Sequence, residues 1–193
     1  QDVTLGTVDD GVFELRLNRP ERMNALGVQT VAALRAAIDD ARRLRARVLL
    51  LRGTGRAFCA GADLKEREGM DLPARMAHNA GINDVVNAIA ASPFITVAVL
   101  NGLALGGGLE MALGCDLRIA AEGVPLGLTE ARVGIFPGAG GTQRLTRLVG
   151  TSRALHLMLT AEPVTTDQAL AIGLVNEVVA PEALAARALE LGR

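Results

Sequence analysis

The sequence has no tryptophan and no tyrosine, and only four phenylalanines among 193 residues. Aromatic platforms on which nucleobases stack are therefore not expected. Two cysteines, Cys59 and Cys115, and two histidines, His78 and His156, are too few for a disulfide framework and show no metal-binding spacing. Net charge is −1, from 20 Lys+Arg against 21 Asp+Glu, which leaves no global footprint for nucleic acid or an anionic membrane. Half the residues are apolar, but the longest strongly apolar run, residues 94–100, is far too short to cross a bilayer. Serine occurs only at 92 and 152, neither in a Gly-x-Ser-x-Gly elbow. The opening QDVTLGTV has no basic or hydrophobic region of a secretory signal, and a start at Gln rather than Met fits a trimmed chain. A soluble protein of a reducing cytoplasm is the expectation.

What is present alternates strand and helix. Residues 12–17 (VFELRL) have the period of a half-buried strand, and residues 48–51 and 94–100 are continuous apolar runs suited to strands covered on both faces. Val31, Leu34, Ile38 and Ala41 recur at helical spacing within 28–44, and Met76, Ile82, Val86 and Ile89 predict a second long helix that ends before Pro93. Further on, 117–120 reads as a strand and 140–149 as a helix, with Thr151 capping the next helix through 159. Thr165 to Gln168 resembles a capping box, Gly173 closes that helix, and a strand over 174–179 precedes a helix over 181–191. The order argues for one α/β domain without linker or repeat. Arg35, Arg42, Arg43, Arg45 and Arg47 cluster enough to raise RNA binding, but Asp39 and Asp40 offset them, and an ordinary solvated helix is the expected reading.

The stretch 101–144 organises the rest. A buried strand feeds Gly106 to Gly108, Glu110 follows, and Glu130 stands twenty residues on. Nucleotide readings fail: Gly53-Thr-Gly55 and Gly138-Ala-Gly140 lack the third glycine position of a dinucleotide fingerprint, and no Gly-Lys-Ser/Thr follows either. Cys59 reads as a small buried filler, and both histidines read as ordinary surface or packing residues. A glycine corner that opens a helix presents unpaired amides to a ligand, and a glutamate in its first turn is favoured as an anion. Such a Glu either merely complements a helix dipole or acts as a base.

Five stretches carry a family resemblance: NRPERMNAL (18–26), FCAGADLKE (58–66), NGLALGGGLEMALGCD (101–116), GIFPGAGGTQRL (134–145) and DQALAIGLVNEVV (167–179). Together they resemble the crotonase family, the enoyl-CoA hydratases and isomerases, most of all its 3-methylglutaconyl-CoA hydratase branch. The resemblance implies an α/β fold, a crotonase (ClpP-like) spiral of ββα units over residues 1–180. It also implies a C-terminal helical region that makes trimers and hexamers, of which residues 181–193 would be only the start. It implies an acyl-CoA substrate with no separate cofactor and no metal, and neither nucleic acid nor membrane as partner.

Matched by position, the amides of Ala62 and Gly107 form the oxyanion hole for the thioester, and Glu110 and Glu130 are the catalytic pair, base and acid of a hydration that yields a 3-hydroxyacyl-CoA. Asn24, Ala25, Leu26, Ala60, Asp63, Leu64, Lys65, Gly106, Pro137 and Gly138 are the implied substrate and CoA contacts. A 3-methylglutaconyl-CoA hydratase, an enoyl-CoA isomerase and a non-catalytic acyl-CoA or RNA binder are the alternatives.

Overall fold

The continuous apolar runs lie at the centre of a six-stranded sheet. The computed structural model describes all of residues 1–193. Strand β1 (Val3–Asp9) pairs antiparallel with β2 (Val12–Leu17), and β3 (Val48–Gly53), β5 (Ile95–Leu100), β7 (Leu117–Ala121) and β9 (Glu177–Val179) follow in parallel. Consecutive apolar residues are needed where both faces are covered, and Leu49, Leu50 and Leu51 are all buried. The sequence pattern does not reveal β1: most of it is exposed or half-buried, so it lacks a period-two apolar face.

A second, three-stranded parallel sheet lies beside the first. It consists of β4 (Ala57–Cys59), β6 (Leu103–Leu105) and β8 (Leu126–Gly127). Each of its strands follows a strand of the large sheet and leads to helical chain. After β4 come α2 (Leu64–Glu68) and α3 (Leu72–Ala90); after β6 comes α4 (Gly107–Gly114). After β8 come a 3-10 turn at Glu130–Val133, then α5 (Gly141–Val149) and α6 (Thr151–Thr160). Three ββα turns wound in one direction are the expected crotonase spiral.

Helix α1 (Val28–Arg43) buries Val31, Leu34, Ile38 and Ala41, the positions its periodicity singled out. On its outer side Arg35 pairs with Asp39 and with Asp84 of α3, Arg43 pairs with Asp40, and Arg47 pairs with Asp10. Three of the five clustered arginines are thus paired with carboxylates.

Several boundaries differ from expectation. The strand expected over 174–179 begins only at Glu177, because Leu174 and Val175 turn inward and are buried. Thr151 is not a cap: Gly150, with φ 85°, separates α5 from α6, and Thr151 is the first residue of α6. The capping box stands, with Thr165 starting α7 (Thr166–Ala171) and exchanging both hydrogen bonds with Gln168. The last helix, α8 (Leu184–Gly192), starts three residues later than expected. Its Leu184 and Ala188 belong to the same cluster of 48 buried residues as both sheets, so packing draws no boundary at residue 181.

Candidate active site

The glycine corner forms where the small sheet meets α4. Gly106 donates its amide to the Gly127 carbonyl of β8 and accepts from Glu110 at the first turn of α4, both at 2.9 Å. Its φ of 51° and ψ of −126° are open essentially to glycine alone. Helix α4 therefore begins abruptly at Gly107, whose amide donates to no backbone or side-chain acceptor. The amide of Ala62 is also without a protein partner. The two are neighbours: a Cβ built on Gly107 would lie 3.8 Å from the Ala62 nitrogen. Ala62 is held there by a bridge to Leu26 and by the Gly61 carbonyl, which accepts from the Leu26 amide at 2.8 Å.

These amides line a cavity of about 260 Å³ together with Glu110 and Glu130. Glu110 is 3% exposed, and its Oε1 accepts two hydrogen bonds of 2.8 Å, from the amides of Ala139 and Gly141. Glu110 stands in the first turn of α4, as expected, and its carboxylate is braced from a second helix as well. Glu110 lies at the N-terminus of α5, where Gly141 is the first helical residue and its amide is unspent within the helix. Gly141 is needed there, since a Cβ on it would come within 2.9 Å of Glu110 Oε1. Burial raises the pKa of Glu110, and the two amides and the charge of Arg144 oppose that rise.

Glu130 has no such support. Its Oε2 is buried without a partner, and burial, followed by the negative charge of Glu110, pushes its pKa up to about 7. Burial thus raises both carboxylates that face this space, but only Glu110 has two amides of another helix to brace its anion, while Glu130 is poised to hold a proton near neutrality.

Of the residues implied by resemblance, Ala60, Ala62, Leu64, Gly106, Gly107, Glu110, Glu130 and Gly138 line this cavity. Asn24, Ala25, Leu26, Asp63, Lys65 and Pro137 do not. Asn24 is fully buried and structural: its amide group donates to the Thr54 and Ala57 carbonyls, and its Oδ1 accepts from the Arg19 amide. Asp63 caps α2 and pairs with Arg19 and Arg22, Leu26 is in the core, and Lys65 points to solvent. The sequence reading missed Arg67, Asn79, Ile82 and the segment from Arg132 to Phe136, which complete the wall. It also missed the partnership of the 138–141 glycines with Glu110. Those glycines were visible as a failed nucleotide loop and, at Gly138, as an implied substrate contact, but not as partners of Glu110.

Neither cysteine takes part: both are buried free thiols, and burial pushes each up to about 12. No group of three His, Cys, Asp or Glu side chains is placed to hold a metal, and no helix is long and apolar enough to cross a membrane.

Comparison with known proteins gives a consistent result. A family model described as enoyl-CoA hydratase/isomerase matches residues 7–193. The human enoyl-CoA hydratase domain-containing protein 2, mitochondrial, is 46% identical over 174 residues, covering 89% of this chain and 60% of its own. The mouse methylglutaconyl-CoA hydratase, mitochondrial, is 40% identical over 189 residues, covering 95% and 60%. The crystal structure of an enoyl-CoA hydratase from Bacillus anthracis superposes with a TM-score of 0.97 at 39% identity, covering 100% of this chain and 75% of that one. The chain spans about three fifths of the length of the human, bovine and mouse relatives that it matches. A match over nearly the whole chain, at this identity and with this superposition, means that the chain belongs to the enoyl-CoA hydratase/isomerase family and has its crotonase fold.

Proposed function

We propose that this site hydrates a 2-enoyl-CoA to a 3-hydroxyacyl-CoA. The thioester oxygen sits between the amides of Ala62 and Gly107. Glu110, as carboxylate, holds a water over C3 and takes its proton as the oxygen bonds to C3. The π pair of C2=C3 moves towards the thioester, giving an enolate whose oxygen carries the charge. Glu130, protonated, then delivers its proton to C2, and the enolate collapses to the thioester. A proton passes back from Glu110 to Glu130 through solvent. The two amides bind the developing charge better than the neutral carbonyl, worth on the order of 3 kcal/mol per donor. Coenzyme A enters only as part of the substrate, and the steps draw on no metal or redox group.

The single observation that supports this reading best is the asymmetry of the carboxylates, which face one cavity beside two unpartnered amides. Mixing the protein with crotonyl-CoA is expected to remove the conjugated enoyl absorbance. Glu110→Gln and Glu130→Gln are each expected to slow this by on the order of 10²- to 10⁴-fold. A folded protein that leaves the absorbance unchanged, or a Glu130→Gln variant with full activity, rejects the mechanism.

Isomerisation is the second reading, supported by Glu130: a lone carboxylate with a free buried oxygen and a pKa of about 7 can take a C2 proton from a 3-enoyl thioester and return it at C4. Absorbance that grows with 3-hexenoyl-CoA, but does not fall with crotonyl-CoA, selects it. A homotrimer, or a hexamer of two trimers, completes the proposal, since exposed Val133, Ile135 and Phe136 beside the cavity need a cover; a monomeric mass in solution refutes it. For location we keep a reducing compartment, the cytoplasm, in line with the free thiols; the mitochondrion, which the human and mouse relatives carry in their names, is the alternative.

A further inference from the structure

Beside the C-terminus of α4 lies an open cavity of about 290 Å³ lined by three arginines and no acid. Arg118 of β7 and Arg144 and Arg147 of α5 face it, with Ala90, Leu113 and Leu148 as aliphatic wall. It shares no residue with the carboxylate-lined cavity. None of the three arginines pairs with a carboxylate.

Arg118 is built into the fold. It is 5% exposed, and its Nε and Nη1 donate to the carbonyls of Leu174 at 2.9 Å, Cys115 at 2.7 Å and Ala112 at 3.3 Å. The carbonyls that satisfy it occupy those two nitrogens, and Nη2, which has no protein acceptor, keeps contact with solvent. Arg144 is fixed by Nη1 on the Ala139 carbonyl at 3.2 Å and by Nη2 on Asn87 Oδ1 at 2.8 Å, which leaves its Nε. Arg147, three residues on and so on the same face of α5, is exposed and makes no side-chain hydrogen bond. Asp116, an acid whose charge bears on Arg118, spends its Oδ2 on the amide and hydroxyl of Thr96 at 2.8 and 2.9 Å.

Three like charges around one cavity repel, and the aliphatic wall lowers the dielectric that would screen them. Two of the three are tied down and cannot swing apart. An anion relieves the repulsion, and a phosphate group suits the donors best: it carries roughly two negative charges and offers several acceptor oxygens to guanidinium groups. We propose that Arg118, Arg144 and Arg147 form a phosphate-binding site apart from the catalytic cavity, for inorganic phosphate or the end of a phosphomonoester. Binding here involves neither Glu110 nor Glu130, so this site and the hydration mechanism stand or fall separately.

Calorimetric titration with inorganic phosphate at constant ionic strength should show one saturable site with a Kd below about 1 mM. A second titration with glycerol 3-phosphate tells the sources apart: binding at least as tight selects a phosphomonoester, and weaker binding selects the free ion. Arg147→Gln should weaken phosphate at least about tenfold, and Arg147→Lys should weaken it less. Because Arg147 is exposed, both variants should keep the wild-type melting temperature. Absence of saturable binding, or binding that Arg147→Gln leaves unchanged, overturns the proposal. Loss of phosphate binding under saturating coenzyme A also overturns it, since the ion would then lie in the acyl-CoA site. A wild-type protein that takes no phosphate, but whose mass in solution falls on Arg147→Gln, would show an acidic side chain of a second copy in the cavity instead.

Discussion

In each turn of the spiral one strand joins the six-stranded sheet, and the next, of two or three residues, joins the three-stranded one. The large sheet has long apolar strands and is covered by α1 on one part and α8 on another. Its side chains make the core. The small sheet is buried too, with Phe58, Cys59, Ala104 and Leu126 in the same core, but its strands are short and their ends lead into both unpartnered amides: β4 runs to Ala62 and β6 runs to Gly107. One sheet holds the chain folded by side chains; the other aims backbone groups. Substitutions in the two should therefore separate stability from activity.

The largest effect is expected in the large sheet. Leu51, 1% exposed in the middle of β3, leaves a cavity when cut to alanine, for a loss of about 3–4 kcal/mol in denaturant unfolding. The residual folded fraction should turn over at the wild-type rate, since Leu51 contacts nothing in the site. A large loss of kcat per folded molecule would mean that the sheets are not separable in this way.

Gly106→Ala is the converse. A Cβ there must adopt the φ of 51°, and it would stand 3.3 Å from Glu130 Oε1. The strain costs about 1–3 kcal/mol of stability. The displaced Gly107 amide should cost roughly 100-fold in crotonyl-CoA hydration, as for other lost oxyanion donors. Turnover that tracks only the folded fraction would show that the corner serves the fold alone.

The same contrast explains what was legible in the sequence. Strands β2, β3, β5 and β7 and helix α1 announce themselves because burial of side chains writes a period or a continuous apolar run into the residues. The small sheet writes none: AFC and LAL, though AFC is wholly buried, are too short to show a period. The amides at Ala62 and Gly107 have no side-chain signature at all and became visible only through resemblance. Glu110 and Glu130, as base and acid, could be named through the same resemblance, but not the physical origin of their difference. That difference depends on Ala139 and Gly141 reaching Glu110 across thirty residues, while nothing reaches Glu130. Arg67 was hidden for a similar reason, since the side chain it donates to, His78, comes from another helix.

Buried charge gives the subtlest form of the comparison. In the large sheet Arg118 of β7 is 5% exposed and donates to the carbonyls of Leu174, Ala112 and Cys115, so its charge is satisfied. Beside the small sheet Glu130 Oε2 has no partner. With a folded pKa of about 7 against 4.5, the folded state holds a proton that the unfolded state releases earlier. Stability contributed by the protonated form is therefore complete below about pH 4.5 and is lost as pH rises towards and through 7. Glu130→Gln removes this dependence without changing shape. Its unfolding free energy should match wild type near pH 4.5 and exceed it above pH 7, by about 2 kcal/mol after allowance for partial exposure. Glu110 contributes a slope of the same sign in both proteins, so the difference between the two curves isolates Glu130. If the curves stay parallel across that window, Glu130 is ionised at neutral pH in the folded protein, and the proton for C2 comes from elsewhere.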